Sequence, residues 1–395
     1  MTNWVEIRLE QSTPAFVGHY EPELVDEWFF LKPTSVKGIW RWFARALVAG
    51  ALYDLGMLYG EPDKEMVKKP TKLEAKEISR IVGKVMGLGY AGERKESEAS
   101  MFRVGVETLR RPRVQSTRGA FTYVRSRQVR LQRVGLLTLT GRAFEYFEGG
   151  TFRLVVERAP FSQPKGEGEE LALRALILAL TLSGVGKASR KCLGSLDVVD
   201  VKGFNVEKNL RDFMDATYKL ALDLVERQAK LERAPAVESL PPLPSIAKRK
   251  VKGWLPFSLH RIDSASWVDT HNFFLRSERC RKLTGDPLCQ DALRAQLEAW
   301  ILGMPRSQKG TGYFSEGVER RASPIFVTYH EDRHMFGRGV LVATFASADW
   351  PSSLKWQGTG SEPITVSEGL IARALSDALE ELWKYLGSTP SGVWP

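Results

Sequence analysis

Apolar and charged residues alternate over positions 5–9, the two-residue period of a strand with one buried face. The period then changes. Val36, Ile39, Trp40, Phe43 and Leu47 gather on one side of a cylinder at ~100° per residue. Pro33, Thr34 and Ser35 supply a hydroxyl cap ahead of this run and start a helix over 35–55. Residues 56–100 are charged and helix-prone, which predicts a helical insertion on the surface. Arginine-rich, β-branched stretches at 121–134 and 136–139 predict strands, as does 151–157. Residues 167–182 are apolar around most of the circumference, a buried helix that stops at Gly184. A strand at 195–201 closes the set. Strand, helix, strands, helix, strand is the succession of a ferredoxin-like βαββαβ unit.

The pattern beyond 205 is again mixed. A helical connector covers 205–230, and a proline-rich, stiff surface segment covers 235–244. The basic run Lys248, Arg249, Lys250 precedes a strand near 254–261. A helix at 291–302, paired strands at 323–329 and 340–346, and a long amphipathic helix at 366–386 follow. A second, degenerate ferredoxin-like unit fits this order. The expected class is α+β: two ferredoxin-like (RRM-type) domains with helical insertions, divided as 1–205 and 206–395. A chain of 395 residues exceeds one ordinary core, which agrees with two domains.

Charge sharpens the picture. Lysine and arginine total 57 against 47 acids, a net +10. That excess favours a polyanionic partner, nucleic acid ahead of an anionic membrane. No run of ~18 apolar residues could span a bilayer, and the first residues lack a basic-then-apolar secretory pattern. Three cysteines make an odd number, which argues against a disulfide framework and for a reducing cytoplasm. Asparagine occurs only at positions 3, 205, 209 and 272, a composition expected of a hot habitat.

Four features carry candidate chemistry. Lys37, Arg41 and Arg45 recur at i, i+4 and i+8 on a second face of the first helix. Such cations repel by a few tenths of a kcal/mol per pair, so an outside polyanion would explain them. A solvated basic face is the alternative. The loop after the buried helix holds Gly184, Gly186 and Gly194 with Lys187, Arg190 and Lys191. Glycines let a backbone approach a phosphate closely, although a flexible turn would look the same. A nucleoside-triphosphate loop is disfavoured, because the helix precedes the loop and Ala188 follows Lys187. Nine arginines and no acid lie between Thr108 and Phe144, with Phe121 and Tyr123 interleaved. Forked guanidinium groups suit phosphates and aromatic faces stack unpaired bases. Alternation along a strand sends about half of them elsewhere. Arg125 and Arg127 are the chosen candidates. Arg320 and Arg321 form a late pair that suits either RNA or an internal partner.

The run PTSVKGIWRWFARAL at 33–47 resembles the first-helix signature of the RAMP superfamily, the RNA-binding subunits of CRISPR effector complexes. It is most similar to the first, large Cmr subunit of type III-B complexes. Thr13 to Gly18 resemble the end of that family's opening strand, and Glu319 to Ile325 resemble its "RRASP" element. The 184–195 loop matches the family's glycine-rich loop between last helix and last strand, except that Cys192 stands where many relatives have glycine. The resemblance implies a non-catalytic subunit of antiviral defence that holds guide RNA and target single-stranded RNA near the guide's 3′ end. It implies other Cmr subunits as partners, and no cofactor or metal. Its contacts would be Lys37, Arg41, Arg45, Gly184, Gly186, Lys187, Arg190, Lys191, Gly194, Arg125, Arg127, Arg320 and Arg321.

Some relatives cleave RNA with a histidine near the first helix, so a metal-independent endoribonuclease using His19 is the alternative. His330-Glu331-Asp332-Arg333-His334 matches HExxH, but strand-like flanks place it at a hairpin rather than on the helix that zinc chemistry needs. His271, Cys280 and Cys289 have irregular spacing for a structural zinc, and core cysteines with a surface histidine are the expectation.

Overall fold

β1 (Trp4–Gln11) leads by a long loop to α1 (Pro33–Asp54), and α2 (Lys72–Arg80) runs into a π-turn at Ile81–Val85. β2 (Phe102–Arg110), β3 (Arg113–Ser116), β4 (Phe121–Val124), β5 (Arg127–Arg130), β6 (Glu145–Glu148) and β7 (Thr151–Arg158) follow, then α3 (Glu167–Leu182) and β8 (Leu196–Lys202). The computed structural model describes residues 4–18, 20–21, 23–92, 96–119, 121–131, 134–135, 141–160, 162–234, 238–274, 292–304, 306–308, 311–318, 320–358 and 360–395. β2, β7, β1 and β8 form one antiparallel sheet in that spatial order, while β3 pairs with β6 and β4 with β5. In the second half come α4 (Leu210–Gln228), β9 (Phe257–Ile262), α5 (Trp267–Phe273), α6 (Ala292–Ala295), β10 (Arg306–Gln308), β11 (Thr311–Phe314), β12 (Ile325–His330) and β13 (Gly339–Phe345). β14 (Ser353–Gln357), β15 (Ser361–Thr365), α7 (Glu368–Leu386) and β16 (Ser391–Trp394) complete it. β12, β13, β9 and β16 form a second antiparallel sheet in the same relative order as the first. The architecture is α+β.

Local chemistry explains the helix ends. α1 starts two residues before the expected Ser35. Its cap is Lys32, whose side chain makes no capping bond, and Pro33 takes the first turn where a missing N–H costs nothing. Thr71 and Glu74 form a reciprocal capping box on α2. Asn209 and Ser367 cap α4 and α7, and left-handed Gly387 ends α7.

The expected elements need several corrections. The second strand of the first sheet is β2, not the 121–134 stretch. Residues 121–130 instead form a separate hairpin with left-handed Arg125 and Ser126 at its tip. Within 56–100 only α2 and its π-turn are helical among the described residues. The expected 291–302 helix is the short α6 followed by a 3₁₀ turn at Ala299–Leu302. The sheet β10-β11-β14-β15 has no counterpart in the pattern reading.

α1 sits at the centre. Trp40 buries completely and donates from Nε1 to Ala172 O of α3 at 2.6 Å. Trp42 packs on Phe326 of β12 and Phe345 of β13, at ring separations of 4.8 and 5.1 Å. The main core therefore mixes residues of both sheets and crosses the expected 205/206 division.

Candidate functional site

The first-helix cations part company. Lys37 Nζ donates to Phe102 O at 3.2 Å, and Arg41 donates to Leu88 O through Nε at 3.0 Å and through a terminal nitrogen at 2.7 Å. Both are half-buried and tie the 81–102 segment to α1. Burial, with Arg41 nearby, lowers the Lys37 ammonium from its usual value. Arg45 is exposed and has no ion-pair partner among the described residues. Around the axis it lies roughly 60° from Trp42.

Trp42 is where helix and glycine loop meet. The Arg190 guanidinium stands 4.1 Å from the Phe326 ring centre and 5.3 Å from that of Trp42. Burial lowers this guanidinium to about 10, with Arg321 a smaller cause. It thus remains a cation at neutral pH, held by aromatic faces. Lys187 Nζ sits 4.3 Å over Phe144, and burial lowers it while Glu23 opposes.

The loop glycines serve the chain itself. A Cβ at Gly184 would lie 2.2 Å from Leu193 O. At Gly194 it would lie 2.0 Å from Val185 O, and at Gly186 2.5 Å from Phe16 O. Gly186 and Gly194 are left-handed, at φ +81° and +67°. The loop clasps the opening segment: Lys187 N donates to Phe16 O at 2.9 Å and Gly194 N to Pro14 O at 2.8 Å. On its other side Cys192 N donates to Val327 O and Val327 N to Arg190 O, fastening the loop to β12. Cys192 takes φ +61°, so a side chain stands where glycine is favoured, and its thiol is buried. Lys191 faces inward, its Nζ 3.2 Å from Leu302 O and 4.7 Å from the Phe274 ring.

The remaining candidates divide between the surface and internal pairs. Arg125 bonds Glu331 at 2.5 Å, which raises the guanidinium further. Arg127 and Arg320 are exposed. Arg321 bonds Asp349 at 2.7 Å and lies 5.0 Å over Trp350, the internal partner of the two readings. Arg111 and Arg142 meet Glu27 and Glu23, as expected for part of the arginine-rich stretch. His271 is buried rather than on the surface, with Nδ1 2.7 Å from Lys191 O. His19, Arg133, Cys280, Cys289, Gly310 and Glu319 lie outside the described residues.

The HExxH histidines do meet, at the start of the β12–β13 hairpin, and they do so around Asp197 of β8. Their ligand atoms and that of Asp197 lie within 4.8 Å of one another, all buried. His330 Nδ1 is 3.0 Å from Asp197 Oδ1, and Nε2 is 2.8 Å from Thr181 O. Its two ring nitrogens thus sit between a carboxylate oxygen and a backbone carbonyl. Ser12 Oγ donates to Asp197 Oδ1 at 2.7 Å. His334 Nδ1 accepts from Val198 N at 3.0 Å, and its buried Nε2 has no partner among the described residues. The two rings stack at 3.9 Å and 15°. A metal bonds in the plane of an imidazole, so stacked rings must rotate before both could hold one ion. Asp197 escaped the pattern reading, although an acid at an inward position of a strand was its signal.

Residues 8–197 match the model of the RAMP superfamily. No curated protein matches the chain. Among solved structures, apo Cmr1 from Pyrococcus furiosus aligns at 17% identity over 99% of both chains, with a TM-score of 0.49. A chain of type III-B Cmr-beta bound to cognate target RNA aligns at 12% identity over 96% of this chain and 99% of that one, TM-score 0.53. The same assembly with AMPPnP, in state 2 and in the presence of ssDNA, gives 12%, 96%, 99% and 0.52. The two Cmr-beta chains share this fold from end to end. The matched segment runs from the second half of β1 through α1 and the rest of the first sheet to the start of β8, and takes in the whole glycine loop.

Proposed function

We propose that this chain is an RNA-binding subunit of a Cmr-like CRISPR effector complex, in the position of the first Cmr subunit. The RAMP match over the first sheet and glycine loop carries the reading. Two structures of like fold described as bound to target RNA support it. In this reading both halves are ferredoxin-like domains, divided near 205. The RNA contacts are Arg45 and Arg190 beside Trp42, Lys187 over Phe144, and the exposed Arg127 and Arg320. Lys37, Arg41, Arg125, Lys191 and Arg321 hold the framework beneath them, and the loop glycines shape it. These cations address phosphates, so base pairing with the guide supplies sequence recognition. Guide RNA, target RNA and neighbouring Cmr subunits are the partners.

Titration of the purified chain with labelled single-stranded RNA tests this. Affinity should fall steeply as salt rises, and Arg45→Ala with Arg190→Ala should flatten that dependence. Affinity indifferent to salt rejects the proposal.

A catalytic reading of the same chain draws on Asp197, His330 and His334, whose convergence supplies acid, base and ligand groups in one place. An RNA-cleavage assay with and without a chelator decides it. Cleavage lost in a folded His330→Gln variant makes the subunit a nuclease. Intact RNA after prolonged incubation leaves it a binder.

A further inference from the structure

The basic run that follows the proline-rich segment ends in a strained turn. Val251 and Trp254 exchange two backbone hydrogen bonds of 2.8 Å, closing a two-residue loop of Lys252 and Gly253. Both loop residues are left-handed, at φ +47° and +87°, as a type I′ turn requires. Glycine, asparagine or aspartate ordinarily fills the first position; a lysine there carries strain. Strain of this kind persists where surrounding structure fixes it and gathers at functional sites. Here Val251 is buried in the main core and fixes the base of the turn.

The charges nearby fall into two sets. Lys248 is taken up by Asp215 at 2.6 Å, and Arg249 lies 5.7 Å from the Tyr53 ring centre. Lys250 and Lys252 are exposed and meet no carboxylate among the described residues. Trp254 keeps 38% of its surface in solvent beside them. Arg249 also lines a small cleft with Tyr53 and Tyr59, and Tyr59 is 40% exposed at its mouth. Two unpaired ammonium groups next to open aromatic faces suit a single strand: phosphates on the lysines, a base against a ring.

We propose that the Lys250–Trp254 turn is a second contact for single-stranded RNA, with Lys250 and Lys252 on phosphates and Trp254 stacking a base. It lies at the far end of α1 from Lys37. Asp54, the last residue of α1, accepts from Lys248 N and Arg249 N at 2.7 and 3.1 Å. Arg45 is ~14 Å back along the axis. Residues 46–53 of α1 are buried between the two places, so the turn is a separate contact and not a continuation along the helix surface. The inference rests on the RNA-binding reading above but uses different residues.

The experiment compares the full chain with a Lys250→Ala, Lys252→Gly double variant in a fluorescence-anisotropy titration with an unstructured RNA, across a salt series. Glycine suits φ +47°, so the variant keeps its melting temperature. The slope of log affinity against log salt should fall by about 1.4, at ~0.7 per phosphate lost. Trp254→Ala should weaken binding at least about fivefold with the slope unchanged. An unaltered slope and affinity in the double variant, with wild type binding normally, overturns this site alone. Wild type that fails to bind RNA overturns both readings.

Discussion

A methyl group at position 50 has nowhere to go. Built on Gly50, it would stand 1.7 Å from Ile246 O, where the chain crosses α1 backbone to backbone. Gly50→Ala should therefore destabilise the protein by at least ~2 kcal/mol, seen as a lowered urea midpoint. His334 offers a second residue-scale test. Its burial, with His330 and Arg261 adding to the effect, holds the imidazole well below 6.5, so it is neutral when folded. The unfolded chain takes up that proton near pH 6.5. Stability from this site is complete above that pH and falls as pH drops below it. Denaturation curves between about pH 7.5 and 5 should show the loss, and His334→Gln should flatten it. Neither residue was legible for what it does. Gly50 sits mid-helix without a turn to explain it, because its reason lies 196 positions away at Ile246. The place of the histidines on a hairpin was legible from their strand-like flanks, whereas the Asp197 that joins them there was not.

At the scale of an element, α1 was the most legible part of the chain and also the most misread. Its apolar stripe is correct: Val36, Trp40, Phe43 and Leu47 are buried. Its cations look alike at i, i+4 and i+8, yet periodicity says nothing of what faces each one. The π-turn and the loop beyond it bring carbonyls to Lys37 and Arg41 and leave Arg45 open. Arg41→Ala should thus cost about 1.5–3 kcal/mol, the worth of a charged hydrogen bond. Arg45→Ala should stay within about 0.5 kcal/mol of wild type. Thermal melts of the two variants separate them. β2 was missed for a related reason: its outer half is exposed on both faces, so no inward stripe marks Glu107 to Arg110. The glycine loop's position between α3 and β8 was readable, whereas its grip on Pro14, Phe16 and Val327 depends on tertiary contacts.

Across the whole molecule the two sheets share one hydrophobic interior, with α1 and α3 between them. Phe43 and Trp42 touch Phe326 and Phe345, and Trp394 touches Phe257 and Tyr218. Near- and far-ultraviolet circular dichroism should therefore lose signal together on heating, in one transition. Two separated transitions would mean that the halves unfold independently. Pattern reading found the repeated order of strands and helices, but a boundary drawn from order says nothing of shared packing. The same placement of α1 bears on how the protein is made. A nascent chain emerging from the ribosome presents residues 33–54 long before β12, β13 and β16 exist to cover them. For tens of seconds at ordinary rates of synthesis, on the order of 5–20 residues per second, Trp42 and its neighbours stay uncovered, and a chaperone has something to hold.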